Sequence, residues 1–101
     1  MQGAYTMKVK AVRYDLLVDL EKKYENEERC GYDEEPCAIC GRPIKKGSKC
    51  ENIRMFGGGE YFTTSDVDDY KLPNDMGWYS VGLTCFRKYK KLEKEIEVEE
   101  E

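Results

Sequence analysis

Cys37-Ala38-Ile39-Cys40-Gly41-Arg42-Pro43-Ile44 is the stretch on which the fold turns. Two thiolates separated by two residues grip one ion when the chain turns tightly between them. A glycine after the second lets the backbone reverse without a Cβ clash. The rival reading is a thioredoxin-like redox pair, which needs a strand before it and a helix running from its first cysteine. Here Asp33-Glu34-Glu35-Pro36 precedes and Gly-Arg-Pro follows, so the motif reads as a metal knuckle. Zinc favours four such soft ligands in a tetrahedron, with Zn–S near about 2.3 Å.

Two further ligands must come from elsewhere. A helix is predicted to start near Thr84, whose hydroxyl is a candidate N-cap, and this puts Cys85 in its first turn. There the helix dipole and free amides favour a thiolate. Cys50 is the preferred fourth ligand, because a turn at Lys45–Gly47 would bring it opposite Arg42 and close to the knuckle. Cys30 is the alternative, folded back across the acidic connector 26–36. The bland account of either is a small buried residue, since free cysteine packs like a hydrophobe. Histidine is absent from the chain, which excludes Ser-His-Asp, Cys-His and His-ligated mechanisms.

Around this centre the composition calls for a staple. In 101 residues, Leu, Ile, Val and Phe total 19, close to the level below which chains fail to hold a core. A metal ion answers that shortage, because its binding energy becomes folding energy. The chain has room for one domain. It carries no run near the ~20 apolar residues of a membrane span and no signal-peptide pattern, so a cytoplasmic protein with reduced thiols is expected. Charged residues reach 38%, with one Gln and three Asn, a usage that resembles thermophilic proteins.

The order of elements follows from periodicity. Tyr5, Met7, Val9 and Ala11 alternate with polar residues, giving a strand near 5–11. Val12, Leu16, Leu17, Leu20 and Tyr24 share a helical face, giving a helix near 14–27 and a strand–helix unit over 1–29. Strands are expected on both sides of Lys45–Gly47 within 44–56. Gly57-Gly58-Gly59 is a hairpin turn and not a phosphate loop, since no Gly-Lys-Ser/Thr follows. Another strand is expected at 61–64. Asp66, Asp68 and Asp69 lack the pattern of a calcium loop and read as solvated acids. On the last helix Phe86, Tyr89, Leu92 and Ile96 share one side. Five glutamates between Glu95 and Glu101 stand at the wrong pole of its dipole, so fraying is expected over 97–101.

CAICGRPIKKG (37–47) followed by GWYSVGLTCF (77–86) resembles the treble-clef zinc fingers of the poly(ADP-ribose) polymerase type and, more distantly, the LIM half-domain. The resemblance covers about half the chain. It implies an α+β treble-clef-like domain: a zinc knuckle, a β-hairpin and a C-terminal helix within 37–96. Cys37, Cys40 and Cys85 match ligand positions, and Ile44, Gly47, Trp78, Tyr79 and Phe86 match framework positions. The chain departs from the family where Ser80 replaces a ligand histidine and where an insertion around 57–77 lengthens the interval from Cys40 to Cys85.

A fully cysteine-ligated ion offers no open position, so the zinc is expected to be structural and the protein not an enzyme. Charge is unevenly divided: residues 1–36 sum to −3, residues 37–94 to +4 and residues 95–101 to −5. The basic middle suggests a nucleic-acid binder. Lys45, Lys46, Lys49 and Arg54 on the hairpin, and Arg87, Lys90, Lys91 and Lys94 on the helix, would contact phosphates. Tyr61, Phe62, Trp78 and Tyr79 would stack on bases. The alternative is a protein-binding adaptor or inhibitor, of viral or mobile-element kind, whose glutamate tail meets a basic surface on a partner enzyme.

Overall fold

The computed structural model describes residues 6–66 and 72–99. Strand β1 (Thr6–Arg13) leads into a single turn, α1 (Tyr14–Leu17), and the helix α2 (Leu20–Glu27). Short strands β2 (Glu34–Pro36) and β3 (Pro43–Lys45) flank the CxxC knuckle. They are followed by β4 (Glu51–Phe56), β5 (Tyr61–Thr63), β6 (Gly77–Val81), α3 (Leu83–Leu92) and β7 (Lys94–Glu99). Five strands form one antiparallel sheet in the order β6-β4-β5-β1-β7, and β2 pairs with β3 apart from it.

The interior strand β4 is buried on both of its faces from Ile53 to Phe56. Val12, Phe62, Met55, Ile53 and Val81 face one side, against Leu17, the knuckle residues Cys37 to Ile39, and Tyr89 of α3. Val9, Ala11 and Phe56 pack on the other side with Leu72, flanked by Met7, Tyr61, Ile96 and Val98. On this second side Arg54 is 1% exposed. Its Nε and Nη2 donate to the two Asp75 oxygens at 3.1 and 2.6 Å, a bidentate pair that ties the loop after Leu72 to the sheet.

The strand–helix–knuckle–helix order agrees with the α+β expectation, and several elements differ from the sequence reading. The helix predicted over 14–27 breaks at Val18–Asp19, where the Asp19 carboxylate accepts from the Lys22 N–H and caps α2. β3 does not pair across the Lys45–Gly47 turn with β4. It pairs with β2, Pro43 opposite Pro36, so the hairpin encloses the knuckle itself. A strand thus precedes CxxC after all, while a second strand, not a helix, follows it.

The C-terminal helix starts at Leu83 with Gly82 in the cap position, not Thr84, and stops at Leu92. Of the 97–101 tail predicted to fray, residues 97–99 belong to β7 instead, with Glu97 and Glu99 opposite Lys8 and Thr6 of β1, and Glu100 and Glu101 lie outside the described residues. The Lys94–Glu99 segment alternates acidic residues with Ile96 and Val98, a period-two pattern that the helical wheel concealed. Leu92 is exposed. Because β1 lies between β5 and β7, the 1–29 unit and the 37–96 module share one sheet. Tyr5, Asp68 and Asp69 lie outside the described residues.

Candidate metal centre and cationic cleft

The knuckle is built by short-range hydrogen bonds. Cys37 N–H donates to the Arg42 carbonyl at 2.9 Å, closing the β2–β3 hairpin, and Gly41 N–H donates to the Cys37 carbonyl at 2.8 Å. Gly41 has φ +75°, and a Cβ there would stand 2.1 Å from the Lys23 carbonyl oxygen of α2. The glycine therefore serves both the turn and the approach of the helix. Tertiary bonds then hold the knuckle in place: Ala38 N–H to the Ser80 carbonyl at 2.9 Å, and Asn26 Nδ2 to the Cys40 carbonyl at 2.9 Å.

Cys85, in the first turn of α3, joins Cys37 and Cys40 with all three Sγ atoms within 4.8 Å of one another. Cys37 is buried and its partners are half-buried. A hydrogen bond from the Cys85 thiol, with backbone N–H donors of Cys40, Gly82 and Ile39, outweighs burial and holds Cys37 well below the ordinary thiol range. The Gly82 N–H lies 3.3 Å from its Sγ. The same hydrogen bond and negative charge, with burial, push Cys85 upward. N–H groups converging on a sulfur favour its thiolate form, the form that ligates a metal. Three close cysteines that could hold a metal ion are thus present.

Neither proposed fourth ligand joins them. Cys30 directs its thiol at the Gly41 carbonyl, 3.7 Å away. Cys50 lines a separate hollow with Tyr32, Ile44 and Lys45, because β3 pairs with β2 and carries Cys50 away from Arg42.

All three cysteines open onto a cleft of about 710 Å³ between α2, the knuckle and α3. Lys22, Arg42, Arg87, Lys88 and Lys91 line it, and Asp19 is its only carboxylate among the described residues. None of these five cations forms an ion pair among the described residues. No family model, curated protein or solved structure shows similarity to the chain, so the site must be read from its own chemistry.

Of the basic residues singled out in the sequence, Arg87 and Lys91 reach the cleft. Lys90 pairs with Glu93 at 3.0 Å. Lys94 lies on β7, and Lys45 and Lys46 line the hollow around Cys50. Lys49 is exposed in the connection to β4. Arg54 cannot contact phosphates, being buried against Asp75. Phe62 is likewise fully buried and unavailable for stacking. Tyr61 stacks on Phe56 with centroids 5.3 Å apart. Trp78 and Tyr79 remain exposed, at 46% and 38%. Lys22 and Arg42 stand outside the set singled out in the sequence, and Lys88 joins them from the basic face of α3. Arg42 follows the knuckle directly, and Lys88 stands one helical turn after Cys85, so proximity to the ligands was the available signal. Lys22 depends on the packing of α2. No helix is long and apolar enough to cross a membrane among the described residues.

Proposed function

We propose that this chain is a small domain stapled by one zinc ion on Cys37, Cys40 and Cys85, and that it binds nucleic acid through the cleft beside that ion. The observation carrying the reading is the convergence of five unpaired cations on one cleft in a chain whose net charge is −4. A solvated helix face would scatter such residues or pair them with the abundant glutamates. Zinc is the ion that suits soft thiolates in a reducing compartment. It would join the knuckle to α3 as in a treble clef and offset the small core. Trp78 and Tyr79 supply exposed rings for bases.

Fluorescence anisotropy with a single-stranded oligonucleotide across a salt series tests the reading. Five phosphate contacts predict a log–log salt slope of about −3.5. Replacing Arg42, Arg87, Lys88 and Lys91 by Ala should reduce the slope to about −0.7 and leave the melting curve intact. A wild-type slope near zero would remove nucleic acid as the partner.

A second reading rests on the opposite end of the sheet. β7 is an edge strand on which Glu95, Glu97 and Glu99 are exposed. This acidic edge favours a basic protein surface, as for an adaptor or inhibitor. A pull-down that survives the four-residue cleft variant and is lost on replacing these glutamates by Gln would favour it.

A further inference from the structure

We propose that the ion on Cys37, Cys40 and Cys85 keeps its fourth coordination position open to the cationic cleft, where a phosphate oxygen of the bound molecule completes it. The inference rests on the zinc reading of the trio. All three thiols line the cleft, and no fourth cysteine or carboxylate lies with them among the described residues. The nearby donors are otherwise engaged. Cys30 faces the Gly41 carbonyl, Asn26 donates its amide to the Cys40 carbonyl, and Asp19 caps α2 through the Lys22 N–H.

A zinc ion with four protein ligands is closed, whereas one with three retains a place for an outside donor. Charge decides which donor arrives. Zn²⁺ on three thiolates carries a net negative charge and would not draw an anion by itself. Lys22, Arg42, Arg87, Lys88 and Lys91 outnumber that charge and the Asp19 carboxylate together. A phosphate is therefore attracted by the cations and then presents an oxygen to the metal, displacing water. The cleft, at about 710 Å³, lies within the size range of small-ligand sites. The ion thus acts both as a staple and as part of the binding surface.

X-ray absorption of the zinc-loaded full chain, paired with visible spectra of the cobalt(II)-loaded chain, tests this. Three sulfurs and one oxygen are expected at the metal, unchanged in Cys30→Ser and Cys50→Ser. Inorganic phosphate and a 5′-phosphorylated oligonucleotide should each shift the cobalt bands. Replacing Arg87 and Lys91 by Ala should weaken the phosphate response by about tenfold or more. Four sulfurs in the wild type, falling to three in either serine variant, would overturn the open position and leave the structural zinc standing. Cobalt bands unmoved by phosphate would also overturn it. A chain that binds no metal would remove the zinc reading itself, and this proposal with it.

Discussion

Two residues carry more than their type suggests. Gly41 has φ +75° and meets the Lys23 carbonyl, whereas Gly47 has φ +86° with open space around it. Gly47→Ala should therefore cost only the left-handed conformation, about 1–2 kcal/mol. Gly41→Ala should cost clearly more, because backbone must move. Urea melts of the two variants give the comparison, and equal costs would contradict the contact with α2. Arg54 is the other case. Asp75 gives that buried guanidinium two charge-assisted hydrogen bonds, so Asp75→Ala should destabilise by about 1.5–3 kcal/mol. Asp75→Asn, which keeps an acceptor for Arg54, should cost less than Asp75→Ala, as read by thermal unfolding.

Among the elements, the junction of α3 and β7 is held by Glu93. Its Oε2 accepts from Tyr89 Oη at 2.8 Å and Thr64 Oγ1 at 3.1 Å, and Oε1 pairs with Lys90. Burial alone would raise its pKa, but hydrogen bonds from Tyr89, Lys90 and Thr64 prevail and hold it below the ordinary value. The folded state then binds this proton less readily than the unfolded chain. Its contribution is complete above the unfolded value of about 4.3 and is lost as pH falls through the lower, folded one. Glu93→Gln should flatten the stability–pH curve in that acid range, measured by melts from neutral pH downward. Asp75, depressed chiefly by its hydrogen bond with Arg54, adds a loss of the same sign.

β7 is also required as an element. Ile96 and Val98 cover the side of β1 that carries Val9 and Met7. Truncation after Glu93 should broaden or abolish cooperative unfolding in a denaturant titration. A frayed tail would have been removable without effect.

For the whole molecule, the metal reading makes one strong demand. The knuckle and α3 come from distant parts of the chain, and the trio is where they meet. Chelation, or Cys37→Ser, should therefore lower the melting temperature substantially and expose the buried face of Tyr89 and Phe62. Circular dichroism and Tyr fluorescence before and after zinc is restored would read this. A melting curve indifferent to chelator would show that packing alone holds the two together.

Local features follow from the order of residues along the chain. The glycine turn after Cys40, the alternation in β1, the triple-glycine hairpin and the amphipathic start of α3 depend on neighbouring residues, so they are legible in one dimension. Cys37, Cys40 and Cys85 could be named because a knuckle and a helix first turn each have a local signature. The remaining features depend on contacts between distant parts of the chain. Strand partners are set by non-local pairing, which put β2 rather than β4 opposite β3 and so removed Cys50 from the site. β7 has too short and charged a pattern to oppose helical reading until β1 offers it an unpaired edge. Arg54 looks like a surface charge until Asp75, in a loop from another part of the chain, neutralises it inside. Charge in a sequence records sign, and the fold alone brings Lys22, Arg42 and the α3 cations to one place.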